Sequence, residues 1–244
     1  MIKKLYSWLR IKKYIFSYDE MVRSDKIPDI NRSLKRIKNL GISPRVIYDV
    51  GAYEGEFSDM CLKIFPAAKL YLFEANHAKI KILQSRFKNS NVHINNVALG
   101  DKNKDEIDFF VDETASSILP SFDLFQKKET VKIKMVTLDS FVIDQFNECP
   151  NILKIDTQGF DYFVLLGSKR ILKNIDIIIV ETNFIEVYDG SILFFELMSL
   201  LNEFDFVVYD ITEIHRRGLD NALFQIDFLF VKKDSELRRS NAWG

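Results

Sequence analysis

From residue 45 onward, short apolar runs alternate with stretches whose apolar residues recur every three or four positions. The runs at 45–50, 69–73, 92–97, 152–155 and 176–180 carry β-branched and aromatic side chains at successive positions, the mark of strands buried on both faces. The stretches at 57–65, 78–87, 138–146, 160–172 and 193–204 have helical spacing. Two further strands are expected at 107–111 and 131–136, around a polar loop, and two more at 206–209 and 224–231. Strands alternating with helices predict an α/β chain, a doubly wound, mostly parallel sheet with helices on both faces. No helical pattern lies between the last two strands. Parallel neighbours need a crossover, so the last strand is expected to be antiparallel. Residues 210–223 then form a loop overhanging the carboxyl edge of the sheet.

The first 44 residues read differently. Residues 1–16 mix Lys3, Lys4, Arg10, Lys12 and Lys13 with Leu5, Trp8, Leu9, Ile11, Ile15 and Phe16, and contain no acid. That is a basic amphipathic helix. It suits either weak contact with an anionic membrane surface or a protein, or packing on the domain with a solvated basic face. Residues 29–40 read as a second helix that Gly41 ends. The organisation expected is a helical extension over 1–44, one domain over 45–232 and a tail over 233–244.

Composition narrows the classes. The 244 residues suit one α/β domain. A net charge of -1 gives no basic excess for nucleic acid. Cys61 and Cys149 make no disulfide framework and read as inert thiols. Without a run of membrane-spanning length, a cytoplasmic location is expected, with residues 1–16 the candidate for peripheral contact at the inner face of a membrane.

The sharpest local feature is Asp49-Val50-Gly51-Ala52-Tyr53-Glu54-Gly55-Glu56-Phe57-Ser58, directly after the first strand and opening a helix. Glycine there lets a ligand approach backbone, and the helix start offers free amides. Glu74 ends the second strand, where an acid can bond both ribose hydroxyls. The pyrophosphate fingerprint G-x-G-x-x-G is absent. A carboxylate beside the turn repels pyrophosphate but suits the ammonium of a methionine moiety, which favours S-adenosylmethionine over a nicotinamide cofactor. Asp49, Glu74 and Asp156 would gather at the strand carboxyl ends, where such sheets bind ligands.

Several segments together resemble the FkbM-type family of S-adenosylmethionine-dependent methyltransferases: VIYDVGAYEGEFS (46–58), LYLFEAN (70–76), NVALGD (96–101), Ser116-Ser117, TLDSF (137–141), LKIDTQGFD (153–161), Val180-Glu181 and QIDFLFV (225–231). The resemblance implies a class I methyltransferase fold, Rossmann-like with an antiparallel last strand, and O-methylation of a sugar or other metabolite. It places Asp49, Gly51 and Gly55 at the methionine end and Glu74 at the ribose, with Tyr53, Ser58 and Ala75 as further cofactor contacts. Leu99, Gly100 and Asp101 fall near adenine, Ser116 and Ser117 at the cofactor's edge, and Asp156 at the reacting centre. Tyr53 stands where Asn or His is common, and Ala75 where proline is frequent.

The remaining candidates concern the acceptor. Asp156 and Glu181 end neighbouring strands and could take or position a hydroxyl proton; each could instead cap the following helix. His215, in the 210–223 loop, is a candidate base. Arg216 and Arg217 are candidates for an anionic group on the acceptor, or simply solvated. Gln158 and Gln225 are candidate acceptor contacts. No cluster has metal-ligand spacing, so no metal is expected. Two rivals remain: a non-catalytic nucleoside-binding partner in glycan assembly, and a nicotinamide-dependent oxidoreductase.

Overall fold

The computed structural model describes residues 27–88, 91–112, 115–122, 129–145 and 147–242; the basic segment 1–16 lies outside them. Helix α1 (Ile30–Asn39) begins at Asp29, whose carboxylate accepts from the Arg32 amide at 2.8 Å. Strand β1 (Val46–Val50), helix α2 (Glu56–Ile64), strand β2 (Lys69–Phe73), helix α3 (His77–Arg86) and strand β3 (Val92–Asn95) follow. Strands β4 (Ala98–Leu99), β5 (Lys104–Val111) and β6 (Glu129–Val136) come next. After them come strand β7 (Ile152–Ile155), helix α4 (Asp161–Leu166), strand β8 (Ile177–Asn183), helix α5 (Phe194–Glu203) and strands β9 (Phe206–Arg216) and β10 (Leu223–Lys232).

The main sheet has the order β3-β2-β1-β7-β8-β10-β9. All neighbours are parallel except β10, which runs antiparallel to both β8 and β9. The doubly wound sheet with an antiparallel last strand is thus as the sequence pattern predicted. Alternate side chains of each strand go to opposite faces. Ile47, Leu70, Leu72, Ile152, Ile177 and Ile179 pack with Leu34 and Ile37 of α1, Phe57 and Cys61 of α2 and Leu83 of α3. Tyr48, Val50, Tyr71, Phe73, Leu153 and Ile178 pack on the other face with Leu138, Phe141, Val164 of α4 and Leu200 of α5. Burial on both faces is why these strands read as unbroken apolar runs. Helix α1 also reaches across to β9, where Ser33 and Arg36 both bond the Asp210 carboxylate.

Several expectations are corrected. The helix expected over 160–172 stops at Leu166, with Gly167 as its C-cap, and the chain turns before a 3-10 helix at Leu172–Asn174. The segment expected as an α-helix over 138–146 is π-helical at Ser140–Asp144. The strand expected over 92–97 ends at Asn95, and β4 beyond it (Ala98–Leu99) joins a separate sheet of order β4-β6-β5. The overhanging loop over 210–223 is largely strand. The long β10 offers ladder partners as far as Arg216, and Thr212 further ties to it by donating to the Asp227 carbonyl at 3.1 Å. Among the described residues no helix is long and apolar enough to cross a membrane.

Candidate functional site

The strand order reverses between β1 and β7, and a crevice opens at their carboxyl ends. It holds a cavity whose empty space is about 860 Å³, counting the part open to solvent. Of the candidate site residues, Gly51, Tyr53, Glu74, Ala75, Leu99, Ser116, Asp156 and Gln158 line it. Phe73, Asn76, Lys79, Val97, Phe109, Ile118 and Thr157 are among the other residues of the wall.

The polar lining groups are held by backbone amides and carbonyls or by charged side chains. Glu74 accepts from the Tyr53 amide at 2.8 Å through one carboxylate oxygen and from the Asn76 amide at 2.7 Å through the other. Burial raises its pKa, and the two amides pull the other way. Each oxygen keeps a lone pair for a further donor. Tyr53 has a left-handed backbone (φ +48°) and lies under the Lys79 ammonium, 4.0 Å from the ring centre. Lys79 is held there by Glu54 at 2.7 Å. Ser116 closes a local turn, its hydroxyl donating to the Asp112 carbonyl at 2.6 Å.

Beneath the cavity lies a charged layer that the sequence reading missed in part. Lys154 is the register partner of Asp49 across β1 and β7, and it stands two residues before Asp156 on the same face. Its ammonium lies 3.1 Å from Asp156 and 3.7 Å from Asp49. Burial works to lower its pKa, but the Asp156 and Asp49 carboxylates outweigh burial and raise it. A lysine within the run Ile-Leu-Lys-Ile, two places before an acid, was the available signal. Asp49 is fully buried; one oxygen accepts from Ser58 at 2.6 Å and the other has no hydrogen-bond partner. Asp49 and Ser58 therefore shape the turn from below and do not line the cavity. Gly55, packed against Phe87, also lies outside the lining, as do Gly100 and Asp101. Ser117 donates to the Gln158 carbonyl at 2.8 Å and so braces the lip.

The acceptor candidates separate. Glu181 is buried, accepts from the Gln225 amide at 2.7 Å and faces Asp227 in register. Glu181 and Gln225 belong to this inner layer and not to the cavity wall. His215 lies on β9 beside Glu213, at 3.4 Å. Arg216 donates to the Asn221 carbonyl at 3.0 Å, and Arg217 pairs with Asp220 at 2.6 Å. None of these three lines the cavity, because β9 is the far edge strand and the turn after it closes on itself. Among the described residues no group of three or more His, Cys, Asp or Glu could hold a metal ion.

The crowded acids titrate high. Burial, and then Asp156, pushes Asp227 from 3.8 up to about 8, and burial with Asp156 raises Asp161 to about 6. Glu181 is raised in the same way. A carboxyl with a folded-state pKa above its unfolded value favours the fold below the unfolded value and loses that contribution as pH rises through the folded one. Wild-type melting temperature is therefore expected to fall between pH 5 and pH 9. Asp227→Asn should flatten that fall; an identical slope in scanning calorimetry would refute the assignment.

The Methyltransferase FkbM domain model matches residues 49–208. No curated protein sequence matches the chain. Among solved structures, a methyltransferase FkbM from Methylobacillus flagellatus KT is similar at 16% identity and a TM-score of 0.47, over 76% of this chain and 43% of that one. This chain thus spans less than half the length of that relative. A precorrin-6y C5,15-methyltransferase from Geobacter metallireducens GS-15 is similar at 12% identity and a TM-score of 0.46, over 83% of this chain and 86% of that one. The 1,6-didemethyltoxoflavin-N1-methyltransferase of Burkholderia thailandensis, solved with S-adenosylhomocysteine, is similar at 12% identity and a TM-score of 0.44, over 95% of this chain and 90% of that one. The match of the family model, over some two thirds of the sequence, settles the kinship: the chain belongs to the FkbM methyltransferase domain family, whose members use S-adenosylmethionine.

Proposed function

We propose that the chain moves a methyl group from S-adenosylmethionine to a hydroxyl oxygen of a sugar or other small metabolite, with surface-glycan units the acceptor class favoured. The single observation that carries this reading is the pairing of two carboxylates on one cavity. Glu74 is backbone-fixed with free lone pairs, and Asp156 has a side chain 31% exposed at the opposite lip.

The cavity fits the donor. Glu74 suits two adjacent ribose hydroxyls. The apolar wall of Phe73, Val97, Leu99, Phe109 and Ile118 suits a flat base. When bound, S-adenosylmethionine supplies an electrophilic methyl, already activated by its positive sulfur. The protein's work is then alignment and proton removal. Asp156 accepts the hydroxyl proton, and Lys154 holds that carboxylate in place from below. Gln158, on the same lip, offers hydrogen bonds to a polyhydroxylated acceptor. Glu181 and Gln225 act at a distance, through the layer behind Asp156, and His215, on the far edge strand, takes no direct part. A cytoplasmic place of action and a peripheral contact through residues 1–16 belong to the same proposal.

Calorimetric titration with S-adenosylhomocysteine and, separately, NADH tests the donor. Binding of the first alone is expected. Binding of NADH alone would return the chain to the oxidoreductases. Binding of S-adenosylhomocysteine without methylation of any hydroxyl in a broad acceptor panel would favour the non-catalytic module.

A further inference from the structure

Behind the lip of the cavity, the segment after β8 and the segment before residue 123 are zipped together. Asp189 donates its amide to the Pro120 carbonyl at 2.8 Å, and Phe122 donates to the Val187 carbonyl at 3.0 Å. Ser121 and Tyr188 form an isolated antiparallel bridge between the two segments. Both segments hold Gln158. Ser117 bonds its carbonyl oxygen from one side, and the Tyr188 hydroxyl bonds its side-chain oxygen Oε1 at 2.8 Å from the other. Gln158 keeps a left-handed backbone (φ +53°), which a residue with a side chain adopts only when its surroundings hold it there. Gly159 makes room for this: a side chain at that position would meet the Tyr188 ring at 2.8 Å.

The direction of the chain of bonds follows from what each group can do. Tyr188 is 3% exposed. Burial, with help from Glu181 and nearby aspartates, pushes its pKa up, so the phenol keeps its proton and donates. A donor at Oε1 commits the Gln158 amide to a single flip, with Nε2 facing away from Tyr188. Nε2 donates to Asp156 Oδ1 at 3.1 Å, while Lys154 takes Oδ2 at 3.1 Å. Both oxygens of Asp156 are therefore pinned, one by an amide that Tyr188 orients.

We propose that Tyr188 is a positioning residue of the methyl-transfer site, fixing the Gln158 amide so that Asp156 presents its carboxylate to the cationic centre of the donor. The proposal rests on the reading of Asp156 as the group at the reacting centre. Tyr188 touches neither donor nor acceptor; it acts through Gln158. Its hydroxyl matters and its ring is packing.

The test needs no acceptor. Sinefungin carries a protonated amine where S-adenosylmethionine has its methylsulfonium, and S-adenosylhomocysteine is neutral there. Calorimetric titration of the full chain with each gives a ratio that reads the carboxylate's placement. Wild type is expected to prefer sinefungin. Tyr188→Phe should cut that preference by up to about tenfold, the upper end of what one neutral hydrogen bond contributes, while S-adenosylhomocysteine affinity and melting temperature hold. Gln158→Met should do the same, and the double variant should lose no more than either single one, because both act on one chain of bonds. An unchanged ratio in Tyr188→Phe, equal loss of both ligands, or additive losses would overturn the proposal. Wild type binding neither ligand would overturn the donor reading first and this inference with it. Should Tyr188→Phe melt early, Gln158→Met carries the same test without touching the packed ring.

Discussion

Asp156→Asn is expected to slow methyl transfer by roughly 10²- to 10⁴-fold, the range a positioned general base contributes, and to leave S-adenosylhomocysteine binding nearly unchanged. The substitution keeps the shape of the side chain and one oxygen acceptor, so the Lys154 ammonium at 3.1 Å retains a partner. What disappears is the negative charge, and with it the capacity to take a proton. The rate is read as transfer of labelled methyl to the best acceptor from a panel of sugars and polyols, beside a titration of the same protein samples. Equal losses in turnover and affinity would make Asp156 a binding or structural group. The contrast has weight because Asp156 is the one member of the charged layer that reaches the cavity wall. Asp49, Glu181 and Asp227 lie behind it and line no part of the cavity.

That layer also shows where sequence reading succeeds and where it stops. Local rules exposed the strand ends: an acid after an apolar run is unmistakable at Glu74 and Asp156, and both face the cavity. The same rule placed Asp49 at the ligand, yet its side chain turns inward to Ser58 and Lys154. Position along a strand says which edge a residue occupies, but burial depends on the neighbouring strand's register, here the Asp49–Lys154 pair. The β9 error has a similar origin. Residues 210–216 alternate weakly and carry charge, so they read as a loop. Their strand form is imposed by pairing with β10, a tertiary effect with no local signature. His215 and Arg216 moved away from the site with that correction. Tyr188 could not have been found this way, since its partner Gln158 is thirty residues distant and the bond joins two loops.

Gly51 tests the other half of the site, its backbone. It has φ +75°, and a Cβ there would stand 1.8 Å from the Asp156 carbonyl oxygen and 2.8 Å from its carbon. No side chain can swing away to relieve that contact, since the obstacle is the backbone just beyond β7. Strands β1 and β7 would have to part where Asp156 must be held. Overpacking costs about 1–3 kcal/mol, and a left-handed conformation with a Cβ adds roughly 1–2 kcal/mol. Gly51→Ala should therefore lower the melting temperature by on the order of 10 °C for a chain of this length and abolish S-adenosylhomocysteine binding. Gly190→Ala is the matched control. Gly190 also has a positive φ, +81°, but a Cβ there meets nothing within 4 Å. It should lose only the conformational part, with ligand affinity intact. Similar melting temperatures for the two variants would mean that the turn relaxes without moving β7, and the tight β1–β7 contact would no longer explain why glycine is needed at the cavity floor.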